Sequence, residues 1–201
     1  MKLDKSFYTR PDVVQIAREL LAKWIFTKFD GVLTGGFITE TEAYAGVIDR
    51  ASHAWNGRRT VRTEIMYHEG GVAYIYFCYG VHSLFNIVTD QKDVPHAILI
   101  RGFQPVVGIP EILRRTGRTE LTADLGFGPG KLSKALGIHY TQTGTSLTGN
   151  VIWLEDRHIK VRSKDIIAGP RIGVAYAGED AALPYRFMLK PSKIKEILNR
   201  A

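Results

Sequence analysis

The sequence FITETEAY occupies residues 37–44 and follows a glycine pair at 35–36. Its β-branched and aromatic residues predict a strand, and the glycine pair predicts a turn before that strand. Because side chains alternate along a strand, Glu40, Glu42 and Tyr44 are expected on one face. Two carboxylates beside a phenol ring suit a hydrolytic site, whereas the same spacing also suits an edge strand with solvated carboxylates.

Three further strands are predicted downstream from runs rich in aromatic and β-branched residues. They span 72–79, 81–89 and 97–103. The first two form a hairpin through Tyr79 and Gly80, and the short connection to the third makes an antiparallel meander. A large ring at the hairpin tip could wedge between stacked bases. A ring folded back on its own strand is an equally good interpretation.

The rest of the chain is expected to supply helices and short strands. A helix is predicted from Pro11 to Trp24, with Thr9 and Asp12 at capping-box spacing. Further helices are predicted at 111–116, 131–136 and 192–199, and short strands at 151–154, 160–162 and 171–174. Strands that cluster apart from helices indicate an α+β protein with a curved, largely antiparallel sheet, in a single domain spanning residues 1–201.

Composition favours some classes of partner over others. The formal net charge of +7 on 201 residues modestly favours a polyanionic partner. Cys78 is the only cysteine and the six histidines are scattered, so we expect no disulfide, no metal and no cofactor. No apolar run is long enough to span a bilayer and the N-terminus is charged, so we expect a cytoplasmic, nucleoid-associated protein without a membrane partner.

An irregular loop is expected from Ala45 to Thr63, because this stretch lacks the periodicity of a helix or strand. Arg58, Thr60 and Arg62 within it combine guanidinium and hydroxyl groups, which suit contacts with phosphates. A solvated charged loop is the plainer interpretation.

Segments along almost the whole chain resemble the alkyladenine (3-methylpurine) DNA glycosylase family. They are ETEAY at 40–44, His53, RRTVR at 58–62, YFCYG at 76–80, Asn86, LIR at 99–101, GPGKL at 128–132, GPRIG at 169–173 and YAG at 176–178. Their order and spacing agree with the family. The fold that the resemblance implies is a partly open antiparallel barrel with surrounding helices and a protruding β-hairpin.

The resemblance also implies a role for ten residues. Glu42 would deprotonate the attacking water and Arg101 would help to hold it. Tyr44 and Tyr76 would stack on the flipped base, with Glu42 facing the slot between their rings. The remaining roles are contact with the base by His53, a pocket position for Asn86, filling of the gap in the duplex by Tyr79, and backbone contacts by Arg58, Thr60 and Arg62.

The function implied is base-excision repair of double-stranded DNA. The protein would flip alkylated or deaminated purines of the 3-methyladenine type out of the duplex and hydrolyse the N-glycosidic bond. Arg101 is expected to keep Glu42 ionised. Because no lysine falls on the implied catalytic strand, we expect a monofunctional, monomeric enzyme that leaves an abasic site. A non-catalytic binder of damaged DNA and a hydrolase of free nucleosides are the alternatives.

Overall fold

Eight strands form one antiparallel sheet in the computed structural model, which describes residues 1–200. In chain order they are β1 Trp24–Phe29, β2 Val32–Tyr44, β3 Ala73–Cys78, β4 His82–Thr89, β5 His96–Val107, β6 Ile152–Glu155, β7 Ile166–Gly169 and β8 Arg186–Leu189. The helices are α1 Lys5–Tyr8, α2 Val13–Glu19, α3 Ile109–Thr116, α4 Pro129–Leu136 and α5 Pro191–Leu198. No helix within residues 1–200 has the length and apolarity to cross a membrane.

The central strand of the sheet is β2, which is buried along most of its length. β5 pairs with it from Gly35 to Tyr44, while β1 and β8 pair in turn with its first and second halves along the other edge. The strand order is β3-β4-β5-β2-β1-β6, and β7 pairs with β8. The predicted α+β class and the curled antiparallel sheet are confirmed, including the β3–β4–β5 meander.

Several sequence predictions of element boundaries are wrong. The helix predicted from Pro11 to Trp24 is shorter, because the Asp12 side chain caps it by accepting a hydrogen bond from the Gln15 amide at 2.8 Å, and Trp24 belongs to β1. Residues 160–162 and 171–174 lie outside strands. The last helix begins at Pro191, so Ser192 lies inside it and does not cap it.

The glycine pair at 35–36 does not form a turn but lies inside β2. A Cβ atom on Gly35 would lie 2.5 Å from the ring of Phe26, and one on Gly36 would lie 1.9 Å from the carbonyl oxygen of Gln104. Both positions therefore need glycine because neighbouring strands approach the backbone closely. The register of β2 against β5 also shifts here and again between Ile38 and Thr41, and such irregularities bend a strand.

The hydrophobic core lies between the sheet and the helices. Its largest fully buried side chains include Trp24, Phe37, Phe85, Phe103 and Phe187. A second, smaller cluster packs the irregular 45–67 segment against β3, β4 and β5, through Ala54, Met66, Tyr67, Tyr74, Val88 and Ala97. This packing holds the loop against the strands that carry the candidate site residues.

Replacement of Gly36 by alanine is expected to destabilise the protein by about 2 kcal/mol or more, because the new Cβ would overlap the backbone of Gln104. Urea unfolding measures this loss. Gly169→Ala is the matched control, since a Cβ there meets no atom within 4 Å, and it should change stability by less than about 1 kcal/mol. Equal effects of the two substitutions would contradict the steric explanation.

Candidate active site

A cavity of about 260 Å³ opens beside the C-terminal half of β2. Six of the ten residues predicted from sequence line it: Tyr44, His53, Tyr76, Tyr79, Asn86 and Arg101. Its volume lies slightly below the roughly 300–1,000 Å³ typical of pockets for drug-sized ligands, so it suits a smaller group. Cys78, the only cysteine, also lines it and is half-buried.

Aromatic rings form one wall of this cavity. The His53 ring meets the Tyr76 ring edge to face, with centroids 4.7 Å apart, and its Nδ1 lies 2.8 Å from the hydroxyl oxygen of Tyr74. Burial, together with the guanidinium groups of Arg62 and Arg58, lowers the pKa of His53 to about 4. The imidazole is therefore neutral at pH 7.

Asn86 presents a fixed amide to the cavity. Its Nδ2 donates hydrogen bonds to the carbonyl oxygens of Tyr74 and Leu84, both at 3.1 Å. Within residues 1–200 no group donates to its Oδ1. The two backbone contacts fix the amide plane, so this side chain has little freedom to yield to a ligand.

Glu42 lies behind the cavity wall and has no exposed surface. Its Oε2 accepts a hydrogen bond from the Tyr44 hydroxyl at 2.8 Å, and its Oε1 accepts one from the Ile172 amide at 2.8 Å. Arg101 Nε lies 3.4 Å from the same Oε1. The expectation that Glu42 faces the slot directly is therefore wrong, because its hydrogen bonds hold it one side chain away, behind Tyr44 and Arg101.

Burial governs the ionisation of Glu42. Removal from water raises the pKa of its carboxyl group, and this effect outweighs the lowering by Arg101, the Ile172 amide and the Tyr44 hydroxyl. Arg101 favours the ionised form as expected, but it does not keep the pKa at or below its ordinary value. Arg101 Nε is also 3.1 Å from Glu40 Oε1, so one guanidinium forms ion pairs with two carboxylates.

Two arginines at the site were missed by the sequence analysis. Arg186 on β8 holds Glu40, with Nε 2.6 Å from Oε1. Arg171 is fully buried and paired with Asp49, and its guanidinium carbon lies 4.8 Å from the centroid of the Tyr44 ring. The GPRIG segment at 169–173 is the sequence signal for Arg171, but its local pattern predicts a strand, which is wrong.

The hairpin tip and the basic loop lie on the exposed side of the cavity. Tyr79 is 92% exposed, and it and Gly80 both have positive φ, as a tight hairpin turn requires. Arg62 lies over the ring of Tyr76, with its guanidinium carbon 4.8 Å from the centroid. Arg58 and Arg62 are exposed and pair with no carboxylate in the described part of the chain.

Other polar residues of the loop are engaged locally. Arg59 is bound by Glu64 at 2.7 Å and by Asp93 at 2.8 Å. The Thr60 hydroxyl lies 3.1 Å from that of Thr63 within a turn. Across residues 1–200 there is no group of three or more His, Cys, Asp or Glu side chains arranged to hold a metal ion.

Comparison with known proteins gives a consistent result. The model of the family described as methylpurine-DNA glycosylase matches residues 6–193. A Chlamydia felis protein named "Putative 3-methyladenine DNA glycosylase" is 43% identical over 97% of this chain and 100% of its own length. A Bacillus cereus protein of the same name is 41% identical over 94% of this chain and 96% of its own.

Glu42→Gln is expected to raise the free energy of unfolding at pH 7.5. Folding raises the pKa of Glu42, so the folded protein favours the protonated carboxyl group. The protonated group contributes its full stability below the ordinary pKa of 4.5. That stability is lost as the pH rises through the pKa of Glu42 in the folded protein. Because glutamine cannot ionise, the variant keeps this stability at pH 7.5. Urea unfolding at pH 4 and pH 7.5 measures the difference, which should be larger at pH 7.5.

Glu111→Gln is the control for this measurement. Its hydrogen bonds and charge contacts with Arg114 and Arg115 lower the pKa of Glu111 to about 2, so neutralisation there should lower stability at pH 7.5. A Glu42→Gln protein that is less stable than the unmodified protein at pH 7.5 would contradict the proposed cost of burying this carboxylate.

Proposed function

The chain belongs to the methylpurine-DNA glycosylase family, and on this basis we propose that it flips a damaged purine into the cavity and hydrolyses its glycosidic bond with Glu42 as general base. As a member of this family it is a DNA glycosylase, a hydrolase of N-glycosyl bonds that acts in DNA repair. The observation that carries the proposal is the contact of Glu42 with two residues that line the aromatic cavity, Tyr44 and Arg101.

Base flipping is the first step of the proposed reaction. The glycosidic bond is inaccessible inside a duplex, and extrusion of a nucleotide costs a few kcal/mol of stacking and pairing. The exposed Tyr79 ring would fill the gap and offset this cost. Arg58, Thr60 and Arg62 would hold the backbone beside the cavity, although the Thr60 hydroxyl would have to leave its contact with Thr63.

Selection of the base would take place between the phenol rings. Stacking on Tyr44 and Tyr76 contributes about 1 to 3 kcal/mol per base, and a cationic alkylated purine gains further attraction from the ring faces. Neutral His53, held by Tyr74, would hydrogen-bond the base edge. Asn86, fixed by two backbone hydrogen bonds, would exclude the exocyclic amino group of guanine by crowding.

Glu42 would act in two ways on the sugar side of the breaking bond, and an alkylated purine that carries a positive charge leaves as the neutral base. As the bond to the base lengthens, the sugar gains oxocarbenium character, which a nearby carboxylate stabilises while it accepts a proton from water. Because Glu42 has no exposed surface, water would reach it after a small shift of Arg101 or Tyr44. Arg101 would then hold the water and Glu42 together.

Several further properties follow from this proposal. Among residues 1–200 no lysine lines the cavity, so we propose water and not an amine as the nucleophile, with an abasic site as the product and no strand cleavage. We also propose that residues 1–201 form one domain and act as a monomer on nucleoid DNA.

Glu42→Gln is expected to slow base release by at least roughly 10³-fold, because the general base and the carboxylate charge are both removed. Single-turnover assays on duplexes that each carry one lesion (hypoxanthine, ethenoadenine or 7-methylguanine) measure release. Binding of the same duplexes should stay within a few-fold of the unmodified protein or become tighter. Glu111→Gln, on helix α3, which contributes no residue to the cavity, should behave as the unmodified protein.

Three outcomes would count against the proposed mechanism. Retained base release in Glu42→Gln would exclude Glu42 as the base. A covalent adduct trapped by borohydride would exclude water as the nucleophile. Absence of base release from every lesion duplex by the unmodified protein, with binding retained, would favour a non-catalytic binder of damaged DNA.

Tyr79→Ala is expected to weaken binding of lesion-containing duplex by roughly 10-fold, because the gap left by the flipped base is no longer filled. Binding of the same lesion in single-stranded DNA should change less than 3-fold, since a single strand has no such gap. Val32→Ala removes an exposed apolar side chain from the first residue of β2 and serves as the control. Equal losses on duplex and single strand would contradict the wedge role.

A further inference from the structure

Arg171 and Asp49 form a buried ion pair directly behind the cavity wall. Their side chains are 0% and 2% exposed. Arg171 Nη2 donates to Asp49 Oδ1 at 2.8 Å, and Nη1 donates to Oδ2. Nη1 also donates to the Ala43 carbonyl at 2.9 Å and Nη2 to the Asp180 carbonyl at 3.2 Å. One guanidinium thus joins the end of β2 and the segment that follows it to the segment around Asp180, more than 100 residues further along the chain.

The carboxylate of Asp49 joins further backbone to this pair. It accepts hydrogen bonds from the amides of Ala45 and Ala51, both at 3.0 Å. The chain that leaves β2 after Tyr44 is therefore folded around Asp49. Because the bond between Asp49 and Arg171 is bidentate, the orientation of each partner is fixed as well as its distance.

Two of the three contacts to Glu42 depend on the segments that this pair holds. The guanidinium of Arg171 lies against the Tyr44 ring, whose hydroxyl donates to Glu42 Oε2. The next residue along the chain, Ile172, donates its amide to Glu42 Oε1. The third contact, from Arg101, comes from β5 and is independent of the pair.

Packing alone gives no reason for this pair to be ionic. Burying two charges carries a desolvation cost that their attraction often fails to exceed, and apolar replacements of similar volume are often as stable. Arg171 Nε is also buried without a hydrogen-bond partner among residues 1–200, which adds to the cost. A buried polar arrangement that stability alone does not explain is a candidate for a functional role.

We propose that Arg171 and Asp49 are a positioning pair for base release, holding the Tyr44 ring and the Ile172 amide where they fix the Glu42 carboxylate. This proposal rests on the proposed function. In addition, the pair presents balanced charge to Glu42, since the cation of Arg171 is offset by Asp49. Loss of Asp49 would leave the cation of Arg171 uncompensated, and loss of Arg171 would remove that cation from beside Glu42.

The groups that face Glu42 come from several elements. Arg101 on β5 and the Tyr44 hydroxyl and Glu40 on β2 act on it directly, and Glu40 is itself held by Arg186 on β8. From the loops, the Ile172 amide and the phenol of Tyr176 face it. The variants below substitute none of these residues, so a shift in the ionisation of Glu42 reports on the pair.

Asp49→Asn and Arg171→Met test the pair through the pH dependence of single-turnover base release. Each should lower the plateau rate by roughly 10- to 100-fold, the effect of small misplacement of a catalytic group. The acid limb of the pH–rate profile reports the ionisation of Glu42. Asp49→Asn should move this limb to lower pH, because unpaired Arg171 favours ionised Glu42. Arg171→Met should move it to higher pH, because the Arg171 cation no longer favours ionised Glu42. The double variant Asp49→Asn, Arg171→Met should return the acid limb to its original pH.

Binding and folding are measured beside the rates. Affinity for a duplex with a tetrahydrofuran abasic analogue should stay within about 3-fold, and thermal unfolding should remain cooperative. Arg171→Lys keeps the charge but loses the bidentate contact, so it should retain the original acid limb with a lowered plateau. If Asp49→Asn and Arg171→Met fail to fold, Arg171→Lys tests the proposal alone. An unchanged plateau rate of base release in Arg171→Lys would overturn it.

The outcomes separate this proposal from the proposed function. Acid limbs that stay in place or move in the same direction in both single variants would show a merely structural role for the pair. If Glu42→Gln abolishes base release while the pair variants match the unmodified protein, only the positioning proposal fails. If the unmodified protein releases no base from any lesion duplex, the proposed function itself fails.

Discussion

The complete removal of the Glu42 carboxyl group from water is the constraint on which the site depends. A buried carboxylate is unfavourable unless hydrogen bonds and opposite charge compensate it, and here the compensation comes from β2, β5 and the loop at 169–174. These elements are far apart in sequence. The bend of β2, the pairing of β5 against it and the course of the loop must therefore all be correct before the carboxyl group can be held.

Features of the fold that depend on residues close in sequence can be predicted from the sequence, whereas features that depend on residues far apart cannot. The strands that flank Tyr79 were located correctly because alternating side chains and a tight turn are local properties. The glycine pair at 35–36 predicts a turn on local grounds, whereas its actual role is the close approach of β1 and β5, which depends on how the strands pair. The loop containing Arg171 was assigned to a strand for the same reason, since its partner Asp49 is 122 residues away.

In the candidate site, too, some properties can be predicted from sequence and others cannot. Family resemblance and strand alternation identified side chains that line one cavity, from Tyr44 on β2 to Asn86 on β4. They did not indicate that Glu42 lies behind Tyr44, nor that burial outweighs Arg101 in setting the direction of its pKa shift. Those properties arise from desolvation and hydrogen bonding in the folded state, which spacing along a strand does not encode.

The position of Glu42 behind its neighbours bears on selectivity. A carboxylate exposed in the cavity would attract any cation and would present a base to any nucleotide that entered. Behind Tyr44 and Arg101, the carboxyl group can act only when these two side chains adjust. On the proposed mechanism, a purine that stacks well on Tyr44 would supply the interaction that drives this adjustment, so recognition and activation would share one side chain. A normal purine that is excluded by Asn86 would leave the general base covered.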